Sequence, residues 1–409
     1  TNFDLSKSLG MITLGLGSEF RFENFVALAG EEASYYGGGV QSFPGIQPQN
    51  AVDVNRQNFG FYVDLGADVT EDLYVGMAAR SEEYSDFGNS FTWKGAGRFK
   101  AMDDRLSLRA SMSTGFRAPS LHQIYMSNIQ TLISGGTVSN QGTFNNHSPV
   151  IRSLGVDKLK EENATNTTFG VAFKPMDGLY LSLDVYNVAV DDRIVYSSAI
   201  ASDDTTSAVG AILNDYNVTS IKFFTNAVSS TTSGIDFVAS YSGLELGPGS
   251  LDLSIGFNTN STELGDKITT PKPISDSGAD IFDRKEQGRL ISARPGNKLI
   301  LGLDYSMGNL TIGLNNTQFG EVTWQHGSDP SKDQTFSAKL ITDLNMNYQL
   351  NDNLSLNLAV NNLANVYPDV IDTKGDFVTD LGGRFKYPWE VNQFGFMGTN
   401  ILGTISYSF

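Results

Sequence analysis

Apolar residues recur at every second position from one end of this chain to the other, which commits it to extended strands whose two faces meet different surroundings. Leu179, Leu181, Leu183 and Val185 alternate with Tyr180, Ser182, Asp184 and Tyr186. Leu251, Leu253, Ile255 and Phe257 repeat the pattern, as do Leu299, Leu301, Leu303 and Tyr305, and Leu354, Leu356, Leu358 and Val360. Polar partners such as Asp252, Asn258, Asp304 and Asn357 fill the positions between. The segments number about fourteen and match the ~9–11 residues a tilted strand needs to cross a bilayer. They fall at residues 10–25, 56–67, 72–84, 90–101, 105–116, 164–175, 179–191, 228–242, 250–262, 297–307, 310–323, 335–349, 354–365 and 397–409.

No run approaches the ~18 apolar residues of a transmembrane helix, so a bilayer would have to be crossed by strands paired in a closed sheet. The mean hydropathy of −0.18 suits that reading, because lumen-facing polar residues cancel lipid-facing apolar ones. Connections alternate in length. Those at 67–72, 102–104, 175–178, 307–309 and 350–353 are tight, whereas 117–163, 192–227, 263–296 and 366–396 are long, the asymmetry of periplasmic turns and outer loops. With the tight turns in the periplasm, both Thr1 and Phe409 are expected on that side. Alternation also marks half-buried strands of soluble sandwiches. Aromatics expected at strand ends in the outward rows, Phe59, Phe61, Phe169, Phe173, Tyr241 and Tyr407, favour a membrane girdle instead. Strands continue at one spacing throughout, so residues 1–409 read as a single all-β transmembrane antiparallel barrel domain.

A net charge of −17 argues against nucleic acid as a partner. Cysteine is absent, which excludes disulfides and thiolate metal sites. The first eight residues lack a basic and then apolar leader, as expected of a processed chain or one that starts mid-protein. His122, His147 and His326 are far apart in expected loops, unlike a metal-binding set. Ser120 and His122 lack the surroundings of a nucleophile elbow. No catalytic residue, metal or cofactor is expected. Asp276, Asp280 and Asp283, and Asp369, Asp372, Asp376 and Asp380, lack EF-hand spacing and read as solvated loop surface. Tyr125, Trp324, His326 and Trp389 are loop candidates for ligand contact, since such rings join contact area to a polar handle. Asp64, Asp184, Asp252, Asp304 and Asp343 occupy polar rows and are expected to face the lumen.

One stretch carries a family resemblance: Thr114-Gly-Phe-Arg-Ala-Pro-Ser-Leu-His-Gln-Ile-Tyr125, where an alternating strand runs into a polar loop. It closely resembles the signature of TonB-dependent receptors, outer-membrane barrels of Gram-negative bacteria that import scarce ligands. Further pieces match in order: Tyr84-Ser85-Asp86-Phe87-Gly88, Leu159-Lys160-Glu161-Glu162-Asn163, Asp191-Asp192-Arg193-Ile194, Thr232-Ser233-Gly234-Ile235-Asp236, Asn361-Asn362-Leu363 with Tyr367-Pro368, and the terminal Phe409. In the second of these, Glu161 stands where the family usually has Pro.

The resemblance implies a multi-pass barrel in outer-membrane lipid, with a plug domain and TonB as partners and an imported ligand that these loops do not specify. It implies transport rather than enzymatic chemistry, and a structural role for Arg117 at its strand end. Family barrels have about twenty-two strands around a plug. No plug is legible here, so the chain is expected to be the C-terminal part of such a barrel, or a variant barrel closed at about fourteen strands. The alternatives are a passive fourteen-stranded porin and a barrel that serves as an interaction partner for other outer-membrane proteins.

Overall fold

The computed structural model describes residues 1–36, 44–134, 137–265, 268–372 and 385–409. Its frame is a single 15-stranded antiparallel sheet in which wall strands adjacent in sequence are adjacent in space. The strands run from Asn2–Leu9 and Ile12–Ala27 at one edge to Leu354–Asn361 and Asn400–Tyr407 at the other. This is one strand more than the sequence reading counts. The addition is Asn2–Leu9, which pairs with Ile12–Ala27 across the turn at Gly10. Lys7 interrupts its apolar row of Phe3, Leu5 and Leu9, so the alternation is too short to register as a strand. The extra strand also corrects the position of Thr1. Its backbone exchanges hydrogen bonds with Phe20, which sets it midway along the second strand rather than at the level of the tight turns.

Register separates the two faces. Tyr62 stands opposite Arg80, and Arg80 opposite Thr92, on one side of the sheet. Phe61, Ser81 and Phe91 stand opposite one another on the other. Phe59, Phe61, Phe91, Phe99 and Phe169 are exposed on the apolar face, where none of the described residues covers them. Phe59 and Phe61 lie near the middle of Val52–Asp68 and not at a strand end, because that strand starts four residues earlier than alternation alone suggests.

The polar face is laced by ion pairs. Arg80 bridges Glu19 and Glu82, each at 2.6 Å, and Arg109 grips both carboxylate oxygens of Asp184, at 2.9 and 2.5 Å. Gly170 makes the second pair possible, since a Cβ there would sit 2.1 Å from Asp184 Oδ1. Gly17 similarly leaves room for the Tyr62 ring to reach Asp4, with a 2.7 Å hydrogen bond.

The long connections contain folded pieces of their own, which is the main departure from the expected loops. Asn128–Ser134 pairs antiparallel with Thr137–Thr143, and Ser220–Lys222 adds to that strand in parallel. Helices Pro149–Ser153, Ala208–Asp215 and Lys272–Ser275 pack around them. The resulting cap has a core of its own: Ile151, Leu154, Ile200, Val209, Ile221, Phe223 and Ile274 are fully buried. These residues come from three different connections. No single connection holds enough apolar residues to show a pattern, and only their association buries them.

Candidate functional site

The signature segment forms a strap across the polar face. The strand Leu106–Arg117 ends at Arg117, which forks onto Glu162 with bonds of 2.6 and 2.7 Å. Glu162 also accepts the Ile194 amide at 2.6 Å, so one carboxylate ties three strand ends. This geometry is the structural role expected for Arg117. Ser120 then starts the helix Leu121–Tyr125 with a capping box, its hydroxyl taking the Gln123 amide while the Gln123 side chain returns to the Ser120 amide. The buried Arg56 reaches from Val52–Asp68 to the Pro119 carbonyl at 2.7 Å and also pairs with Glu23 and Asp86. His122 packs its ring on Phe25 at 4.2 Å. Contrary to the sequence reading, His122 is therefore helical and not in a loop.

Beside the strap, a cavity of about 430 Å³ opens between the strand ends and the helix Arg284–Ile291. Arg117, Arg193 and Arg289 line it together with Glu162, Glu286 and Tyr196. Three cations against two carboxylates leave it one positive charge, in a chain whose net charge is −17. Arg193 donates to Ser230 at 2.8 Å. Arg289 bonds both oxygens of Glu286, at 2.8 and 2.7 Å, and also Glu390. Burial lowers its pKa, but the carboxylates of Glu286 and Glu390 outweigh burial and raise it. Lys222, packed on the Tyr196 ring at 4.4 Å and 3.4 Å from Glu286, has its pKa pulled down by burial.

The four aromatic loop candidates do not gather in one place. Tyr125 packs on His147 at 5.1 Å, within a small cluster that contains Ile124, Leu159 and Ile194. Burial, then the charges of Lys158 and Arg152, lower the pKa of His147. Trp324 and His326 lie together elsewhere, rings 6.0 Å apart. Trp324 is not in a loop but on Val322–Trp324, half of a two-stranded sheet with Gln334–Phe336, and it is buried against Val391 and Ile371. Trp389 is exposed beside Phe385.

All five candidate aspartates share the polar face. Asp184 holds Arg109, Asp252 stands opposite Asp304 and accepts the Gly243 amide, and Asp343 accepts the Asn362 amide. Asp64 lines a shallow recess with Tyr62, Arg80 and Lys94. Of the acidic loop residues, Asp276 pairs with Lys272, Asp283 caps Arg284–Ile291 and Asp369 pairs with Lys339. Asp376 and Asp380 lie outside the described residues. No group of three metal-ligating side chains gathers among the described residues.

Sequence reasoning did not single out Tyr196, Glu286, Arg289 or Glu390, and it met Arg193 only within the matching piece Asp191-Asp192-Arg193-Ile194. For Glu286 and Arg289 the available hint is the helical run Arg284-Lys-Glu-Gln-Gly-Arg-Leu-Ile291 inside a connection otherwise rich in Gly, Ser and Asp.

No helix among the described residues is long and apolar enough to cross a membrane, which has no bearing on crossing by strands. Solved structures share this fold. The siderophore receptor PirA from Acinetobacter baumannii matches with a TM-score of 0.65 at 16% identity, over 100% of this chain and 54% of that one. A mutant of the ferric enterobactin receptor PfeA from Pseudomonas aeruginosa matches with a TM-score of 0.62 at 18% identity, over 89% and 48%. A chain of a FpvAI–pyocin S2 complex matches with a TM-score of 0.57 at 15% identity, over 99% and 48%. The chain thus spans about half the length of the structures it matches. Among curated protein sequences, none matches. One family model, described as TonB dependent receptor-like, beta-barrel, matches residues 1–363. That match and the 15-stranded antiparallel wall agree, and the chain belongs to the TonB-dependent receptor β-barrel family, a family of outer-membrane receptors and transporters.

Proposed function

We propose that this chain is the barrel portion of an outer-membrane receptor that binds a scarce ligand at its outer loops and imports it into the periplasm, without covalent chemistry. A plug domain and TonB would supply the gate and the energy. The polar face, with Asp64, Asp184, Asp252, Asp304 and Asp343, would border the lumen, and the apolar face would meet lipid. The observation that carries the reading is the arginine-lined cavity at the strand ends. Its charge and its fork-shaped donors suit an anionic oxygen-rich ligand, and the similar solved structures include a siderophore receptor and a ferric enterobactin receptor. A ferric chelate with anionic oxygen donors is accordingly the ligand class.

The test is uptake of radiolabelled iron presented as ferric catecholate chelates, in cells that make the full receptor with and without functional TonB. The expected result is uptake that needs both. Flux that persists without TonB, together with steady conductance of the purified protein in planar bilayers, would replace the importer with a passive channel.

A further inference from the structure

Glu390 lies outside the arginine-lined cavity, yet its carboxylate binds three groups that bear on it. Its side chain is only 4% exposed. One oxygen takes Arg289 and the Lys285 ammonium, the latter at 3.2 Å, and the other takes the Trp324 indole N–H at 2.5 Å. Arg289 and Lys285 belong to the helix Arg284–Ile291, Trp324 to the neighbouring two-stranded sheet and Glu390 to the last long connection. One buried carboxylate thus joins three connections at the back of the cavity wall.

A guanidinium on a long side chain has many rotamers, and holding it in one costs conformational entropy. Arg289 is fixed from two sides, by Glu286 within its own helix and by Glu390 from outside it. We propose that Glu390 is a positioning residue, one that holds the Arg289 guanidinium at the cavity wall and couples its state to Trp324. The inference rests on the reading of the cavity as an anion site. An anion entering the cavity competes with both carboxylates for Arg289. As Arg289 turns toward it, Glu390 recentres on Lys285, and the Trp324 hydrogen bond changes with it.

Two measurements on the full receptor chain, purified in detergent, test this separately. The first uses no ligand: arginine modification by phenylglyoxal, followed by mass spectrometry, in the native protein and in Glu390→Gln. Loss of a charge-assisted bond of this kind is worth roughly tenfold in an equilibrium. Arg289 should react about tenfold faster in the variant, while Arg284, held on the same helix by Asp333, reacts at its native rate. An unchanged Arg289 rate overturns the proposal. So does an equal rise at Arg284, which would show loosening of the whole helix.

The second measurement uses gallium(III) tris-catecholate as a redox-inert trianionic probe. It follows the receptor labelled with 5-fluorotryptophan by fluorine NMR, with the Trp324 line assigned by its loss in Trp324→Phe. Binding should shift that line in the native protein, and Glu390→Gln should bind about tenfold more weakly with the shift abolished. Native-like affinity in the variant, or binding that leaves the Trp324 line in place, overturns the coupling. Failure of the native receptor to bind the probe removes the ligand class proposed above, and the modification experiment still decides the role of Glu390.

Discussion

Replacing Phe223 by alanine should unfold the cap and leave the wall standing. Phe223 is fully buried and joins the strand Ser220–Lys222 to the first residue of Phe224–Leu246. Its ring packs in the cluster that contains Ile151, Leu154, Val209 and Ile274, and its backbone exchanges bonds with Ser197. Truncating a buried Phe costs about 3–5 kcal/mol, from lost transfer free energy and the cavity left behind. The cap core is small, so that cost is comparable to the whole opening free energy such a unit can have. At ~1.4 kcal/mol per factor of ten, amide exchange in the cap should accelerate by roughly a hundredfold to a few thousandfold. The reporters are the Ile221 amide bonded to Ile200, the Thr219 amide bonded to Asn140 and the Phe144 amide bonded to Lys222. Wall amides around Leu183 and Ile235 should keep their protection. Hydrogen exchange with mass spectrometry reads both regions. Acceleration below about threefold in the cap, or equal acceleration in the wall, would refute the view that three connections share one cooperative core.

Arg56→Met should release the strap. It leaves the Pro119 carbonyl without its partner, takes the Arg56 charge from Asp86 and leaves Glu23 with Arg21 at 4.0 Å. Breaking a buried pair from one side costs about 3–5 kcal/mol, and less here because Glu23 is one-third exposed. Proteolytic cleavage within residues 117–125 should rise by about ten- to a hundredfold, and unchanged cleavage would count against the staple. A third expectation concerns pH. The Arg284 hydrogen bonds hold the pKa of Asp333 below its usual 3.8, so this pair contributes stability above that value and loses it as pH falls through the lowered one. Asp333 also accepts the His326 amide, so the Trp324–His326 contact should loosen only below pH 3.8, as fluorescence titration would follow. Asp329, similarly lowered, titrates in the same window, so Asp333→Asn must flatten the transition for the assignment to stand.

Alternation sufficed for most of the wall because a sheet between two unlike surroundings writes its period into every strand. Leu179 to Tyr186 and Leu251 to Asn258 show this at full length, and the register then puts all five aspartates on one face. Asn2–Leu9 carries no such period because Lys7 breaks its short row. The resemblance of Thr114–Tyr125 to a receptor signature was legible too, though nothing in those letters says that the segment crosses to Arg56 and Phe25.

What the sequence by itself determined was therefore the strand wall, its two faces and the family. The site belongs to the tertiary structure. Arg117, Arg193, Arg289 and Glu390 are separated by many residues and carry no shared period, and their charges become one site only when four connections fold against each other. Likewise, Ile151, Ile221 and Ile274 read as isolated apolar residues in polar loops until association removes them from water together. A periodic pattern records an environment repeated along one strand. A site assembled from many connections is set by contacts between distant segments, which no local pattern records.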